Sequence, residues 1–136
     1  MAWGLGVDTS VWVEGLLEQC RSGEVEGFLV HVRSEQLYCT DFALHSVALI
    51  LGRLRRREEF LLFVQRLFID GRVNLLRRGP PDMARVVGAM DRFSLDFDDA
   101  YQYTAAERED LTVVSFDSDF DRTDRGRKTP AQVLSG

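Results

Sequence analysis

The sequence has little of what secreted or membrane proteins need. It contains two cysteines, Cys20 and Cys39, which lack metal-ligand spacing and are too few for a disulfide scaffold, so we expect reduced thiols. There is no apolar run of about 18 residues, so no membrane-spanning helix is predicted. No positively charged segment precedes the apolar stretch at residues 3–7, so we expect no signal peptide and a cytoplasmic protein.

The composition is that of a globular chain. Apolar residues make up 45% of the 136 residues and charged residues 29%, and a chain of this length buries about two-thirds of its unfolded surface. No internal repeat, linker or low-complexity stretch interrupts the pattern. We therefore predict one domain that spans residues 1–136.

Acidic residues are concentrated in one part of the chain. The 17 basic and 22 acidic residues give a formal charge of −5. Positions 91–124 hold eleven acidic residues and three arginines, a local charge of −8, and the rest of the chain carries +3. Nine of those eleven are aspartates, which are typical of turns, helix caps and metal sites. The clustering indicates a local role.

The hydrophobic pattern alternates between short strands and helices. Strands are predicted at residues 3–7, 36–39, 72–76 and 112–115. Helices are predicted at residues 11–19, 24–34, 42–53, 58–69, 80–93 and 97–109, with a break at 22–23 and a weak segment at 129–134. Strands separated by one or two helices favour an α/β fold. We predict a three-layer sandwich with a mainly parallel central sheet of four or five strands flanked by helices.

Three aspartates are predicted to meet at one edge of this sheet. Asp8 and Asp117 lie just past the carboxyl ends of predicted strands, and Asp99 lies in the first turn of a helix. In parallel sheets, ligands bind beyond the carboxyl ends of the strands. Each residue also has a simpler interpretation as a helix cap. Converging carboxylates repel one another, however, and need protons or cations between them.

Carboxylate oxygens suit Mg²⁺ or Mn²⁺, which commonly bind through one or two carboxylates together with a substrate phosphate. A metal held in this way lowers the pKa of water and stabilises charge that develops on phosphorus. Hydrolysis of a phosphodiester is therefore the reaction class that the predicted cluster favours.

Three blocks of sequence resemble the signatures of a known family. They are Val7-Asp8-Thr9-Ser10, Phe97-Asp98-Asp99-Ala100 and the stretch from Leu111 to Phe120, LTVVSFDSDF. In order and spacing they are similar to the blocks of PIN domains, and most of all to the small VapC-like toxins of prokaryotic toxin–antitoxin pairs. The resemblance covers nearly the whole chain and implies a PIN-like sandwich.

The resemblance also implies a function and a site. It implies a ribonuclease that hydrolyses RNA with Mg²⁺ or Mn²⁺, and a toxin of this kind would have a small antitoxin protein as partner. Asp8, Asp99 and Asp117 take the family's first, third and fourth acidic positions, as catalytic residues and metal ligands. Asp119 is a nearby auxiliary, and Thr9 or Ser115 are polar supports.

One position departs from the family pattern. The family usually carries a glutamate in the helix after the second strand, and the register places Ser46 there. Asp41 precedes it by about 7.5 Å along a helix and would reach the site only in an altered geometry. Asp96 or His45 are further candidates. The alternative function is therefore a PIN-fold binding protein with weak or lost nuclease activity.

Basic and aromatic residues allow two interpretations each. The arginines at positions 53, 55–57, 77 and 78 and the basic residues of 122–128 form either a solvated surface or a path for RNA phosphates. The aromatic helix around Phe60, Phe63 and Phe68 is either core or a homodimer face.

A receiver or phosphatase of similar layering fits poorly. Those families use a late lysine that follows a strand, and the single lysine here, Lys128, lies in the polar C-terminal segment.

Overall fold

The framework of the protein is a four-stranded parallel sheet. The computed structural model describes residues 3–136. Its strands are β1 (Leu5–Val7), β2 (Leu37–Thr40), β3 (Asn74–Leu76) and β4 (Thr112–Val114). They lie in the order β3-β2-β1-β4, and every neighbouring pair is parallel. The predicted α/β sandwich is confirmed, with four strands.

Across residues 3–136, seven α-helices connect and cover the strands. They are α1 (Thr9–Leu16), α2 (Ser22–His31), α3 (Asp41–Arg53), α4 (Arg57–Val64), α5 (Met83–Phe93), α6 (Phe97–Arg108) and α7 (Pro130–Ser135). Shorter helical turns are a π-turn at Gln65–Ile69 and 3₁₀ turns at Ser34–Gln36, Pro80–Asp82 and Ser118–Arg122. Within residues 3–136, no helix is long and apolar enough to cross a membrane.

Several boundaries differ from the sequence prediction. Helix α2 begins at Ser22, where a break is predicted, because serine and glycine are poor in helix interiors but tolerated in a first turn. The helix predicted at 58–69 ends at Val64 and continues as the π-turn. Gln36 belongs to a 3₁₀ turn, and its side chain accepts a hydrogen bond from the Arg33 backbone N–H. Trp3 lies outside β1 and is half exposed.

The sheet separates two apolar cores. On one face, α1 to α4 pack against alternate strand residues such as Val7, Cys39 and Val114. On the other face, α5 and α6 pack against Val113 and Leu111. Because successive strand residues point to opposite faces, neighbouring valines of β4 serve different cores.

Glycines in and before β1 let the second layer approach the sheet closely. A Cβ on Gly4 would lie 2.5 Å from Cδ2 of Leu111, and one on Gly6 would lie 3.2 Å from Nε2 of Gln102. Gln102 belongs to α6. Because Gly6 has no side chain, α6 can lie close to β1, the strand that directly precedes Asp8.

We predict that Gly4→Ala destabilises the protein by about 1–3 kcal/mol, because the added methyl overlaps the side chains of Leu111 and Tyr38. Gly52→Ala is the matched control, since a Cβ there meets no atom within 4 Å. In a helix this control should be neutral or stabilising by up to about 1 kcal/mol. Urea unfolding measures both, and equal free energies of unfolding for the two variants would contradict the prediction.

Candidate functional site

Asp8 lies at the carboxyl edge, the edge of the sheet at which the strands end. Its Oδ2 accepts hydrogen bonds from Oγ of Ser10 at 2.9 Å and from Oγ of Ser115 at 2.8 Å. Although Asp8 occupies the N-cap position of α1, its side chain makes no capping hydrogen bond. The Asp8 carboxylate is therefore held by the two serine hydroxyls and not by a capping hydrogen bond to α1. Burial raises the pKa of Asp8, and the two serine hydroxyls oppose that shift.

The two serines also hold the loop after β4. Oγ of Ser115 accepts from the backbone N–H of Asp117 at 2.9 Å, and Oγ of Ser10 accepts from the backbone N–H of Phe116 at 3.1 Å. Ser115 is a predicted polar support, whereas the sequence analysis missed Ser10. Its signal was present, since Asp8-Thr9-Ser10 places a second hydroxyl two residues after the aspartate.

Asp99 is presented by the first turn of α6. Asp96 is the N-cap of this helix, and its Oδ1 accepts from the backbone N–H of Asp99 at 3.0 Å. Asp99 is therefore not the cap, and its own carboxylate is buried with Oδ2 lacking a hydrogen-bond partner. Burial, followed by repulsion from Asp117 and Asp8, raises the pKa of Asp99 to about 8.

Three carboxylates converge closely enough to hold one cation. Asp99, Asp117 and Asp119 each offer an oxygen, and these oxygens lie within 4.8 Å of one another. We call these three residues the acidic cluster; it is the one such group found within residues 3–136. Asp8 is not in the cluster but interacts electrostatically with Asp99 and Asp117.

The two aspartates after β4 are fixed by local contacts. Oδ1 of Asp117 accepts from the backbone N–H of Asp119 at 2.8 Å. Oδ1 of Asp119 accepts from Nη1 of Arg122 at 3.0 Å, and that guanidinium also donates to the carbonyls of Phe93 and Ser94. Arg122 thereby ties the acidic cluster to the end of α5, a contact that the sequence did not reveal.

The other predicted auxiliary residues lie outside the acidic cluster. Oδ1 of Asp41 accepts from the hydroxyl of Tyr101 at 2.7 Å, and Asp96 serves as the cap of α6. Ser46 is half-buried on α3, and His45 is exposed. In the described part of the chain, the Thr9 side chain joins none of the hydrogen bonds found.

The basic residues fall into two groups on different sides of the molecule. Helix α3 has 13 residues and starts at the carboxyl edge, so its far end lies about 18 Å away along the helix axis. Arg53 is the last residue of α3 and the arginines at positions 55–57 come directly after the helix, so this group does not flank the acidic cluster. Arg127, in contrast, donates to the carbonyl of Ser115 at 3.1 Å and so lies beside the site.

Comparison with protein families identifies the fold. The family model of the PIN domain matches residues 6–126. The chain belongs to the PIN domain family. A comparison with curated protein sequences found no match.

Solved structures of this PIN fold are similar in shape but distant in sequence. VapC20 from Mycobacterium tuberculosis, a sarcin–ricin loop cleaving toxin, is 15% identical with a TM-score of 0.74, covering 87% of this chain and 93% of its own. A chain of a toxin–antitoxin complex from Klebsiella pneumoniae is 15% identical with a TM-score of 0.72. The match covers 93% of this chain and 97% of that chain. FitAcB from Neisseria gonorrhoeae is 20% identical with a TM-score of 0.71, and the match covers 93% of this chain and 97% of that chain.

The raised pKa of Asp99 predicts how pH affects the stability of this PIN domain when no metal is bound. The folded protein keeps the Asp99 proton to about pH 8, whereas an unfolded chain releases it near pH 4. Between these values the folded state binds more protons, so its stability falls as pH rises. Asp99→Asn removes this titration, and the variant should be more stable than the wild type at about pH 8 but not at about pH 4.

Thermal unfolding in the presence of a chelator, across that pH range, measures the effect. Asp91→Asn is the control, because Asp91 is an exposed residue of α5. Parallel pH profiles for the wild type and Asp99→Asn would contradict the prediction.

Proposed function

We propose that this PIN domain is a metal-dependent ribonuclease of the VapC-like toxin type, which hydrolyses RNA phosphodiesters. The observation that carries the proposal is the acidic cluster with the unpartnered, buried Oδ2 of Asp99. A buried carboxylate oxygen without a hydrogen-bond donor is costly unless a proton or a cation compensates it.

The residues present fit Mg²⁺ or Mn²⁺. All donors are carboxylate oxygens, the ligand type that these cations prefer. In our proposal Asp99 and Asp117 hold the cation with Asp8, and Asp119 supports them. When bound, the metal would supply Lewis acidity towards a phosphoryl oxygen and lower the pKa of water.

The protein's own residues prepare the site for this chemistry. Ser10 and Ser115 fix the orientation of the Asp8 carboxylate. Asp96 holds the first turn of α6 so that Asp99 faces the cluster and not its own helix terminus. No protein group donates a hydrogen bond to Oδ2 of Asp99. This oxygen is therefore available to bind a cation or to accept a proton from water.

We further propose a small antitoxin protein as partner and a cytoplasmic location. Support for the partner comes from the toxin–antitoxin complex among the similar structures.

Homodimerisation is a second proposal. Phe63 of the aromatic helix is buried and makes an edge-to-face contact with Trp12 at a centroid distance of 5.4 Å, so this ring belongs to the first core. Leu61 and Leu62 are exposed on α4 and are the residues that a dimer contact would use.

Substitution of the carboxylates tests the ribonuclease proposal. Asp117→Asn and Asp8→Asn should each lower the rate of Mn²⁺-dependent cleavage of single-stranded RNA by about a hundredfold or more, because each removes a charge that stabilises the cation or the transition state. Asp91→Asn should cleave at the wild-type rate. Cleavage that is equal in all proteins, or absent from the wild type, would refute the proposal.

A PIN-fold binding protein with weak nuclease activity is the second candidate. The acidic cluster draws on α6 and the segment after β4 and takes no carboxylate from α3, where Ser46 lies. If this candidate holds, the wild type should bind Mn²⁺ weakly and Ser46→Glu should bind it at least about tenfold more tightly, a gain of about 1.4 kcal/mol. Isothermal titration calorimetry measures this, with Ser46→Gln as the uncharged control.

A further inference from the structure

Two arginines, two positions apart in the sequence, bind opposite ends of strand β4. Nη2 of Arg125 donates to the carbonyl of Leu111, which precedes the strand, at 3.0 Å, and to Oδ1 of Asp110 at 2.9 Å. Nη1 of Arg127 donates to the carbonyl of Ser115, which directly follows the strand, at 3.1 Å. Arg127 therefore acts at the end of β4 that leads into the acidic cluster, and Arg125 acts at the other end.

The guanidinium of Arg127 joins two segments of the candidate site. While Nη1 holds Ser115, Nε and Nη2 donate to the two carboxylate oxygens of Asp121 at 3.1 Å and 3.3 Å. Asp121 belongs to the 3₁₀ turn at Ser118–Arg122, which also carries Asp119 of the acidic cluster. A guanidinium can bind a carboxylate and a further acceptor at once, because its N–H groups form a rigid fork. Arg127 thus fixes the 3₁₀ turn to the end of β4.

Ser115 connects this arginine to the carboxylates. Its Oγ donates to Oδ2 of Asp8 at 2.8 Å and accepts from the backbone N–H of Asp117 at 2.9 Å. Its backbone is held from the opposite direction, because its N–H donates to the carbonyl of Lys128 at 3.0 Å and its carbonyl accepts from Arg127. Ser115 is fully buried. A displacement of Ser115 would therefore shift both aspartates that it contacts.

The contacts of Arg127 suit a role in geometry more than a role in charge. Its side chain is 17% exposed, and its bidentate pair with Asp121 has little net charge. Arg122 differs, since its guanidinium pairs with Asp119, a member of the acidic cluster itself. A neutral pair behind the site neither attracts nor repels a cation strongly, so its effect on the site comes through the atoms that it holds in place.

We propose that Arg127 is a positioning residue of the metal site, a role that rests on the proposed metal-dependent function. By holding the carbonyl of Ser115 and the 3₁₀ turn, it sets the distance between Asp8 and the carboxylates that follow β4. That distance sets the affinity for Mg²⁺ or Mn²⁺. Groups that hold metal ligands from behind commonly change metal affinity by about 10- to 100-fold when they are substituted.

Arg127→Lys tests the proposal. Lysine keeps the positive charge but cannot bind Asp121 and Ser115 together, because an ammonium group has no planar fork. The affinity of the RNA-free protein for Mn²⁺, measured by isothermal titration calorimetry, should fall about tenfold. In cleavage assays the Mn²⁺ concentration that gives half-maximal rate should rise by the same factor, and the rate at saturating Mn²⁺ should return towards that of the wild type.

Arg125→Lys is the matched control. It loses the same kinds of contact, to one carboxylate and one backbone carbonyl, but at the end of β4 away from the acidic cluster. Thermal unfolding should show a similar loss of stability in both variants, whereas Arg125→Lys should bind Mn²⁺ as tightly as the wild type. A difference in Mn²⁺ affinity between the two variants therefore measures position and not stability.

Asp121→Asn gives a second route to the same test if Arg127→Lys does not fold. It removes the carboxylate that anchors the guanidinium and should weaken Mn²⁺ binding. Asp124→Asn is its charge-matched control, because Asp124 is an equally exposed aspartate that pairs with Arg92. Equal Mn²⁺ affinities for these two variants would overturn the proposal.

The outcomes separate the positioning role from the ribonuclease function. Unchanged Mn²⁺ affinity in Arg127→Lys, or an equal loss in Arg125→Lys, overturns the positioning role even if RNA is cleaved. A loss confined to Arg127→Lys supports it, and if the wild type then binds Mn²⁺ but cleaves no RNA, the ribonuclease function alone fails. A wild type that binds no Mn²⁺ refutes both.

Discussion

Repulsion among carboxylates at the carboxyl edge is the constraint on which the rest of the site depends. Unit charges 4.8 Å apart repel by about 3 kcal/mol at an effective dielectric constant near 20. Two or three such pairs are comparable to the total stability of a small domain, which is about 5–15 kcal/mol. The folded chain tolerates the acidic cluster because Asp99 keeps a proton, because Arg122 pairs with Asp119, and because apolar cores on both faces of the sheet hold the backbone.

Helix α6 connects the parts of this carboxyl edge. Gly6 of β1 leaves room for Gln102, so α6 lies against the strand that ends at Asp8. The cap at Asp96 fixes the first turn of the helix, which carries both Asp99 and Phe97. One helix terminus thus sets the position of a buried carboxyl group and of a half-buried ring.

The sequence predicts the elements of the site better than it predicts its contacts. Asp8 and Asp117 follow parallel strands, and the topology of such sheets brings strand ends together, so their approach can be inferred without coordinates. The place of Asp119 depends on the 3₁₀ turn at Ser118–Arg122 and on the reach of Arg122, neither of which has a periodic signal. Tyr101 contacts Asp41 across 60 positions of sequence, and no local pattern encodes that contact.

The separation of the two cores by the sheet has a consequence for how the molecule opens. Asp99 is carried by α6 in the second layer, whereas Asp8 ends a strand whose Leu5 and Val7 pack into the first core. A cation shared by these residues would act as a crosslink between the two layers. Local opening in proteins begins where few contacts cross between units. Amide hydrogens in the first turn of α6 would then exchange with solvent at a rate set by how long a cation stays bound.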